Sequence, residues 1–271
     1  MGKKRGSPMN VVFGWLRNLS MKVKIILGAL LAVCAFAALK SIVKEHHYLF
    51  IASEAIHLAG IIALIYKLFA QKTCSGLSLK TQELTALFLI ARLICSTFIE
   101  GYIITVLDLI SFLSTLLVIW MIRYKLKSSY IKELDNLRLS IVVVPCAVLA
   151  VLIHPNTSHS RFAGVLWSFC LYLEAVSVLP QLRFMQNAKM IETFTGYYVF
   201  ALGASRFIAL ALWIILIFET RGHHLFLAGS GYFWFLAAFL AEMVQSFILA
   251  DFCYYYMKSF IHGQLLRKMP V

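Results

Sequence analysis

The chain has 271 residues, of which 61% are hydrophobic and 14% charged, with a formal net charge of +13 and a mean hydropathy of +0.84. That balance excludes an ordinary soluble domain. It also argues against a phosphate-binding surface, because the basic residues collect in short segments between apolar runs, a pattern that orients a chain in a bilayer. Six cysteines (Cys34, Cys74, Cys95, Cys146, Cys170 and Cys253) lie mostly within apolar runs and lack CxxC spacing. They read as small buried side chains rather than a disulfide or metal framework. No nucleophile elbow, phosphate loop or zinc-helix motif is present, so the chain reads as a non-enzyme with no cofactor, no metal and no nucleic-acid partner.

In chain order, eight apolar stretches of helical length are predicted, roughly over 24–43, 49–69, 80–99, 103–121, 139–153, 162–182, 196–218 and 226–252. The first contains no acidic residue and follows Lys3, Lys4, Arg5, Arg17, Lys22 and Lys24. Its apolar run is too long for a signal-peptide core, which makes it an uncleaved first span. With the N-terminus in the cytosol, 19 of the 25 Lys and Arg residues fall on the cytosolic side. Only Lys40, Lys44, Arg161 and Arg221 fall on the lumenal side, and this asymmetry predicts eight spans with both termini cytosolic. The sequon at Asn18 then faces the cytosol and the sequon at Asn156 the lumen. The histidine pairs His46-His47 and His223-His224 lie in lumenal connections and read as solvated side chains.

Arg92 and Arg206 stand inside spans, where a cation costs roughly 2.5–3.5 kcal/mol to insert and therefore faces a cavity, a partner or a ligand. Each arginine is on the second helix of a three-span group, over 49–121 and 162–252, and the span at 139–153 joins the groups in parallel orientation. The opening helix of the first group carries Glu54 and His57, and that of the second carries Glu174 followed by Leu179-Pro180-Gln181. The proline removes a backbone hydrogen bond near the end of its span, which makes Pro180 and Gln181 a predicted hinge and a PQ-loop signature. The expected fold is an all-α polytopic membrane protein, a SWEET/PQ-loop-like bundle of two parallel three-helix repeats joined by a linker helix. One extra N-terminal transmembrane helix precedes it. Glu174 and Arg206 fit a structural or gating ion pair as well as a ligand site. Tyr254, Tyr255 and Tyr256, with Trp234, read as an interfacial aromatic belt.

A scattered set of residues in one order carries a resemblance. It comprises His57-Leu58-Ala59, Cys74-Ser75-Gly76-Leu77-Ser78, Lys125-x-Lys127-Ser128-Ser129-Tyr130 and Val143-Val144-Pro145. The run from Trp167 to Leu182, with Tyr172-Leu173-Glu174 and Leu179-Pro180-Gln181 in it, continues through Glu192-Thr193, Leu202-Gly203, Trp213, Val244-Gln245 and Asp251-Phe252. Over about 49–257 the chain resembles the KDEL/HDEL receptors, the ER lumen protein-retaining receptors, in the form of a divergent, N-terminally extended plant-type member. The resemblance implies a receptor that cycles between Golgi and endoplasmic reticulum, binding the C-terminal signal of lumenal proteins in acid and releasing it near neutrality. It implies Arg92 as the holder of the signal's carboxylate, His57 as a pH sensor, Trp167 and Trp213 as further ligand-binding residues, and Asp251 as a trafficking-linked residue. Vesicle coat machinery and membrane lipid are the other implied partners.

The chain departs from that pattern in its pocket. Phe50 and Leu216 stand where family members carry cations, Gly164 and Cys95 where they carry acids, and Ser205, Ala209 and Leu212 at polar or aromatic positions. An altered signal specificity is therefore expected. The domain organisation follows as a basic arm with an extra span over 1–48, the receptor-like seven-helix domain over 49–257 and a cytosolic tail over 258–271. The same arginine-bearing cavity would also suit a PQ-loop-type transporter of a small anionic solute, and the fold without its ligand a trafficking adaptor.

Overall fold

The computed structural model describes residues 47–96, 102–155, 161–188, 191–221 and 233–261. The chain divides into two units, Met1–His46 and His47–Val271, and the described residues all belong to the second. The expected first span, the Asn18 and Asn156 sequons, His46, His223, His224 and the tail beyond Ile261 lie outside the described residues.

The described residues form helices and connections, with no strand among them. The helices are α1 (His47–Ala70), α2 (Leu79–Ser96), α3 (Tyr102–Trp120), α4 (Leu139–Leu152), α5 (Arg161–Val176), α6 (Leu179–Ala188), α7 (Thr193–Glu219) and α8 (Trp234–Ile261). An apolar chain in lipid must satisfy its backbone within each segment, and uninterrupted helices do so. Among the described residues, five stretches are long and apolar enough to cross a membrane: Tyr48–Ala70, Ile103–Lys125, Arg161–Ala188, Thr193–Glu219 and Trp234–Lys258. The third joins α5 and α6 into one bent span, so the eight segments make seven helices.

Two expected spans differ. α2 buries Thr81, Gln82, Thr85 and Arg92, which lowers its hydropathy because its polar stripe faces protein. α4 has 14 residues, too few to cross the bilayer core unaided. The last span, expected over 226–252, continues to Ile261, since the tyrosines and Asp251 extend the helix instead of ending it; residues 226–232 lie outside the described residues.

Local chemistry sets the helix ends. After α1 the chain turns through Lys72 at φ 52° and Gly76 at φ 80°, a left-handed conformation that glycine adopts without a Cβ penalty. Ser78 then caps α2, its Oγ accepting from the Thr81 amide at 3.2 Å, while the Asp135 carboxylate accepts from the Lys80 amide at 3.1 Å. Gln181 anchors the same turn: its amide donates to the Gly76 carbonyl at 2.8 Å and its oxygen accepts from the Ser78 amide at 2.9 Å. The helical run breaks between Val176 and Leu179, placing Pro180 in the first turn of α6, where the missing N–H leaves nothing unpaired.

Six elements pack in a closed sequence of neighbours: α1 on α3, α3 on α2, α2 on α5, α5 on α8, α8 on α7, and α7 back on α1. α4 packs outside this ring, on α5. Outward faces are apolar, with Ile103, Val106, Ile110 and Leu113 exposed along α3 at helical spacing and Ile141, Val144, Val148 and Val151 along α4. Glu54, Arg92, Asp108, Glu174, Arg206 and Glu242, one from each ring helix, are instead buried.

Candidate functional site

The six ring helices together enclose a cluster of buried charge. Glu54 on α1, Arg92 on α2, Asp108 on α3, Glu174 on α5, Arg206 on α7 and Glu242 on α8 are each at most 9% exposed. In an apolar surround such groups persist only when paired or completed by a ligand.

Arg92 is held from three sides. Its Nε donates to Asp108 Oδ2 at 2.9 Å and its Nη2 to Asp108 Oδ1 at 2.5 Å, a bidentate pair between α2 and α3. The Nη2 also donates to Glu54 Oε2 at 2.7 Å, and Nη1 reaches Glu54 Oε1 and Glu174 Oε1, both at 3.3 Å. Phe88, one turn earlier on α2, places its ring 5.7 Å from the guanidinium carbon. The guanidinium therefore enters the site with its hydrogen-bonding positions engaged by the protein's own carboxylates.

Arg206 shares two of those acids. Its Nη2 lies 2.9 Å from Glu174 Oε1 and 3.6 Å from Glu54 Oε1. These are ion-pair contacts without good hydrogen-bond alignment, and Nε and Nη2 make no hydrogen bond among the described residues. Glu174 reaches Arg206 across the ring rather than from a packed neighbour, and its backbone carbonyl accepts from Gln245 Nε2 on α8 at 3.1 Å. Glu174 and Arg206 are thus in ion-pair contact, but Glu174 is divided between both arginines, and the two arginines belong to a single cluster.

The cluster forms one side of a cavity of about 380 Å³. Its walls are aromatic: Phe50, Trp167, Trp213 and Trp234, with Ala209 and Leu212. Trp213 packs edge-on against Phe235 with centroids 5.2 Å apart, and Trp234 meets Tyr172 at 6.3 Å. Trp234 is thereby moved from the expected interfacial belt to the cavity wall. Tyr256 leaves the belt as well, at 6% exposure, with its ring stacked on Phe252 and Phe200.

Other expected site residues are placed as follows. His57 is 1% exposed, with Nδ1 3.8 Å from Glu54 Oε2 and its ring stacked on Phe88 at 6.4 Å. It stands behind Glu54, outside the cavity lining. Asp251 is exposed on α8 and does not line the cavity. Gly164 has no room for a side chain: a Cβ there would collide with the Pro155 carbonyl oxygen. Cys95 is buried, with Sγ 3.8 Å from the Ala163 carbonyl, and Ser205 accepts through its backbone carbonyl from Ser53 Oγ at 2.8 Å, tying α7 to α1.

Asp108 and Glu242 were passed over in the sequence reading. The signal for both was available, since each is an acid inside an apolar span and the rule applied to Arg92 and Arg206 applies equally to acids.

A model of a family described as ER lumen protein retaining receptor matches residues 73–216 of the chain. The chain is 36% identical over 221 residues to an ER lumen protein-retaining receptor of Petunia hybrida, covering 80% of this chain and 96% of that protein. It is 35% identical to ER lumen protein-retaining receptor B of Arabidopsis thaliana over the same shares. It is 34% identical over 224 residues to ER lumen protein-retaining receptor erd-2.2 of Caenorhabditis elegans, covering 82% of this chain and 98% of that protein.

Proposed function

Because this chain belongs to the ER lumen protein retaining receptor family, we propose that it is a multi-pass receptor of the early secretory pathway, binding the C-terminal retention signal of lumenal proteins and returning them from Golgi to ER. The observation that carries the reading is the balance of charge in the buried cluster beside the cavity. Four carboxylates (Glu54, Asp108, Glu174 and Glu242) surround two guanidiniums (Arg92 and Arg206), with His57 beside Glu54. With every acid ionised, an incoming carboxylate finds no cation to itself and is repelled. Each proton taken up by one of the acids or by His57 moves the balance toward the arginines and releases guanidinium donors for the ligand. Binding is therefore favoured in acid and reversed near neutrality, the direction a Golgi-to-ER carrier needs.

The architecture supports the same reading. Within the first group of three helices the packing order is α1, α3, α2, and within the second it is α5, α8, α7. Each group thus places its third helix between its first two, the order of a repeated three-helix unit of the SWEET/PQ-loop kind with α4 as the linker. Each group also supplies one arginine, one glutamate on its opening helix and one acid on its third helix. In this reading the termini are cytosolic, residues 1–48 form a separate arm and span, the break before Pro180 is a hinge, and Asp251, exposed on α8, is available to the transport machinery. Vesicle coat proteins and lipid are the remaining partners.

A secreted reporter ending in His-Asp-Glu-Leu, expressed in cells depleted of their own retention receptors, tests the function. Expression of the full chain restores intracellular retention of the reporter. A reporter that is still fully secreted, with the chain present in the early secretory membranes, overturns the receptor reading.

A further inference from the structure

The connection from α3 to α4 is tied down on one side and basic on the other. α3 ends in a π-helical turn over Met121–Lys125, closed by the Leu126 amide donating to the Met121 carbonyl at 2.8 Å. Beyond it, Ser129 Oγ accepts from the Cys74 amide at 3.0 Å. The Asp135 carboxylate accepts from the Tyr130 hydroxyl at 2.7 Å and from Ser78 Oγ at 2.9 Å. Asn187 Nδ2 donates to the Leu134 carbonyl at 3.3 Å. These bonds hold the segment against the bundle in one shape and leave its remaining side chains outside.

Those outer side chains are mostly cations. Lys125, Lys127, Lys132 and Arg138 are exposed, and the ion pairs among the described residues leave them out. Arg123 is not available in the same way, because it is paired with Glu83. Asp135 is buried and engaged by the bonds above, so Glu133 is the exposed acid of the segment. A surplus of three positive charges remains on one turn of chain. At the end of the α3 span, Trp120 and Tyr124 are 44% and 73% exposed, and the Lys125 ammonium lies 5.2 Å from the Trp120 ring. Indole and phenol rings settle where acyl chains meet headgroups, which puts these cations at headgroup depth.

Basic connections orient any multi-pass chain, but orientation asks only for charge and not for a fixed shape. Here the cations are concentrated on a pinned segment. A headgroup with a single negative charge cannot answer a surplus of three. One that carries a phosphodiester and a phosphomonoester can, since the monoester alone brings about −1.5 to −2. We propose that Lys125, Lys127, Lys132 and Arg138, flanked by Trp120 and Tyr124, form a docking site for the headgroup of a phosphorylated inositol lipid. None of these residues lines the cavity. The site goes beyond the receptor reading and uses it only to place the connection at the cytosolic leaflet.

The test titrates the purified full-length chain, in neutral detergent, with dioctanoyl phosphatidylinositol monophosphate, dioctanoyl phosphatidylserine and free inositol bisphosphate. The phosphorylated lipid binds saturably, about tenfold or more tighter than either other probe. Lys125→Gln, Lys127→Gln and Lys132→Gln together weaken it about a hundredfold, at roughly fivefold for each lysine facing an anionic surface. The same three positions changed to Arg keep the affinity within about threefold, which separates lost charge from lost folding. Lys3→Gln, Lys4→Gln and Arg5→Gln together remove the same charge elsewhere and also leave it within about threefold. Equal losses in the two neutralised triples mark diffuse attraction by net charge and overturn the site. Phosphatidylserine binding as tightly as the phosphorylated lipid overturns it as well. Free inositol bisphosphate binding as tightly as the lipid overturns the membrane assignment in favour of a soluble phosphate. Absence of saturable lipid binding overturns the proposal outright, and none of these results changes the outcome of the reporter experiment on the receptor reading.

Discussion

Arg92 and Asp108 form a two-point contact, Nε to Oδ2 at 2.9 Å and Nη2 to Oδ1 at 2.5 Å, which locks α2 to α3 from inside the ring. Asp108 is fully buried, and it holds Arg92 in the geometry that also lets Nη1 and Nη2 reach Glu54 and Glu174. The partners are unequal: Arg92 serves three acids, whereas Asp108 serves one cation.

That inequality predicts an asymmetric response to substitution. Arg92→Ala strands Asp108, Glu54 and part of Glu174, and costs about 3–5 kcal/mol, the usual loss when a buried pair is broken from one side. Asp108→Asn keeps the shape and one acceptor while Glu54 and Glu174 still hold the guanidinium, so its cost is about 1–2 kcal/mol. Equilibrium unfolding of both variants in mild detergent measures the difference. Equal losses would contradict the description of the cluster.

A second prediction concerns the end of the bundle where α1 finishes and α7 begins. Lys67 is wholly buried, and its Nζ donates to Glu192, to the Ser75 carbonyl at 2.6 Å and to Thr195 Oγ1 at 3.0 Å. The Glu192 side chain, at 27% exposure, keeps some access to water. Removing Glu192 therefore leaves a buried cation without a counter-charge, while removing Lys67 leaves a carboxylate that water can reach. Glu192→Ala is expected to cost about 3 kcal/mol or more and Lys67→Met about half of that. The opposite order in thermal unfolding would show that Lys67 does not carry its charge in the folded state.

Tyr130 gives a dependence on alkaline pH. Its hydroxyl donates to Asp135 Oδ2 at 2.7 Å, and burial together with that neighbouring carboxylate pushes the phenol well above its ordinary value. A phenol that holds its proton more tightly in the folded chain contributes stability that is complete below the unfolded value of about 10 and is lost as pH rises beyond it. Tyr130→Phe should lower stability near neutrality by about 1 kcal/mol and make the fall above about pH 10 shallower. Melting temperatures across the alkaline range check this, and identical slopes for the two proteins would refute it.

Much of this organisation is legible in the sequence. Apolar runs mark the long helices, and Arg92 and Arg206 stand out because a cation in such a run demands a partner. Glu54, Glu174 and His57 are visible as polar residues on opening helices. What the sequence reading missed is the pairing. Asp108 is 16 residues from Arg92, on a different helix, and only the packing of α3 beside both α1 and α2 makes it a bidentate partner. Glu174 was assigned to Arg206 alone, whereas it lies within reach of both arginines because the ring is narrow enough for one carboxylate to span them. Trp234 was assigned to the interface on composition, whereas it stands on the cavity wall at the start of α8. Gly164 looked like a lost acid, but the nearby Pro155 carbonyl leaves that position no space for one.

The central claim is that surplus acids around Arg92 and Arg206 make the cavity receive a signal carboxylate in acid and release it near neutrality. The most direct measurement is the affinity of the purified full-length chain for a peptide ending in His-Asp-Glu-Leu at about pH 5.5 and about pH 7.4, on either side of the ordinary histidine value. The account predicts saturable binding that is about tenfold or more tighter at the lower pH, equivalent to a protonation coupling of at least about 1.4 kcal/mol. Binding of equal strength at both values, or tighter binding near neutrality, would contradict it.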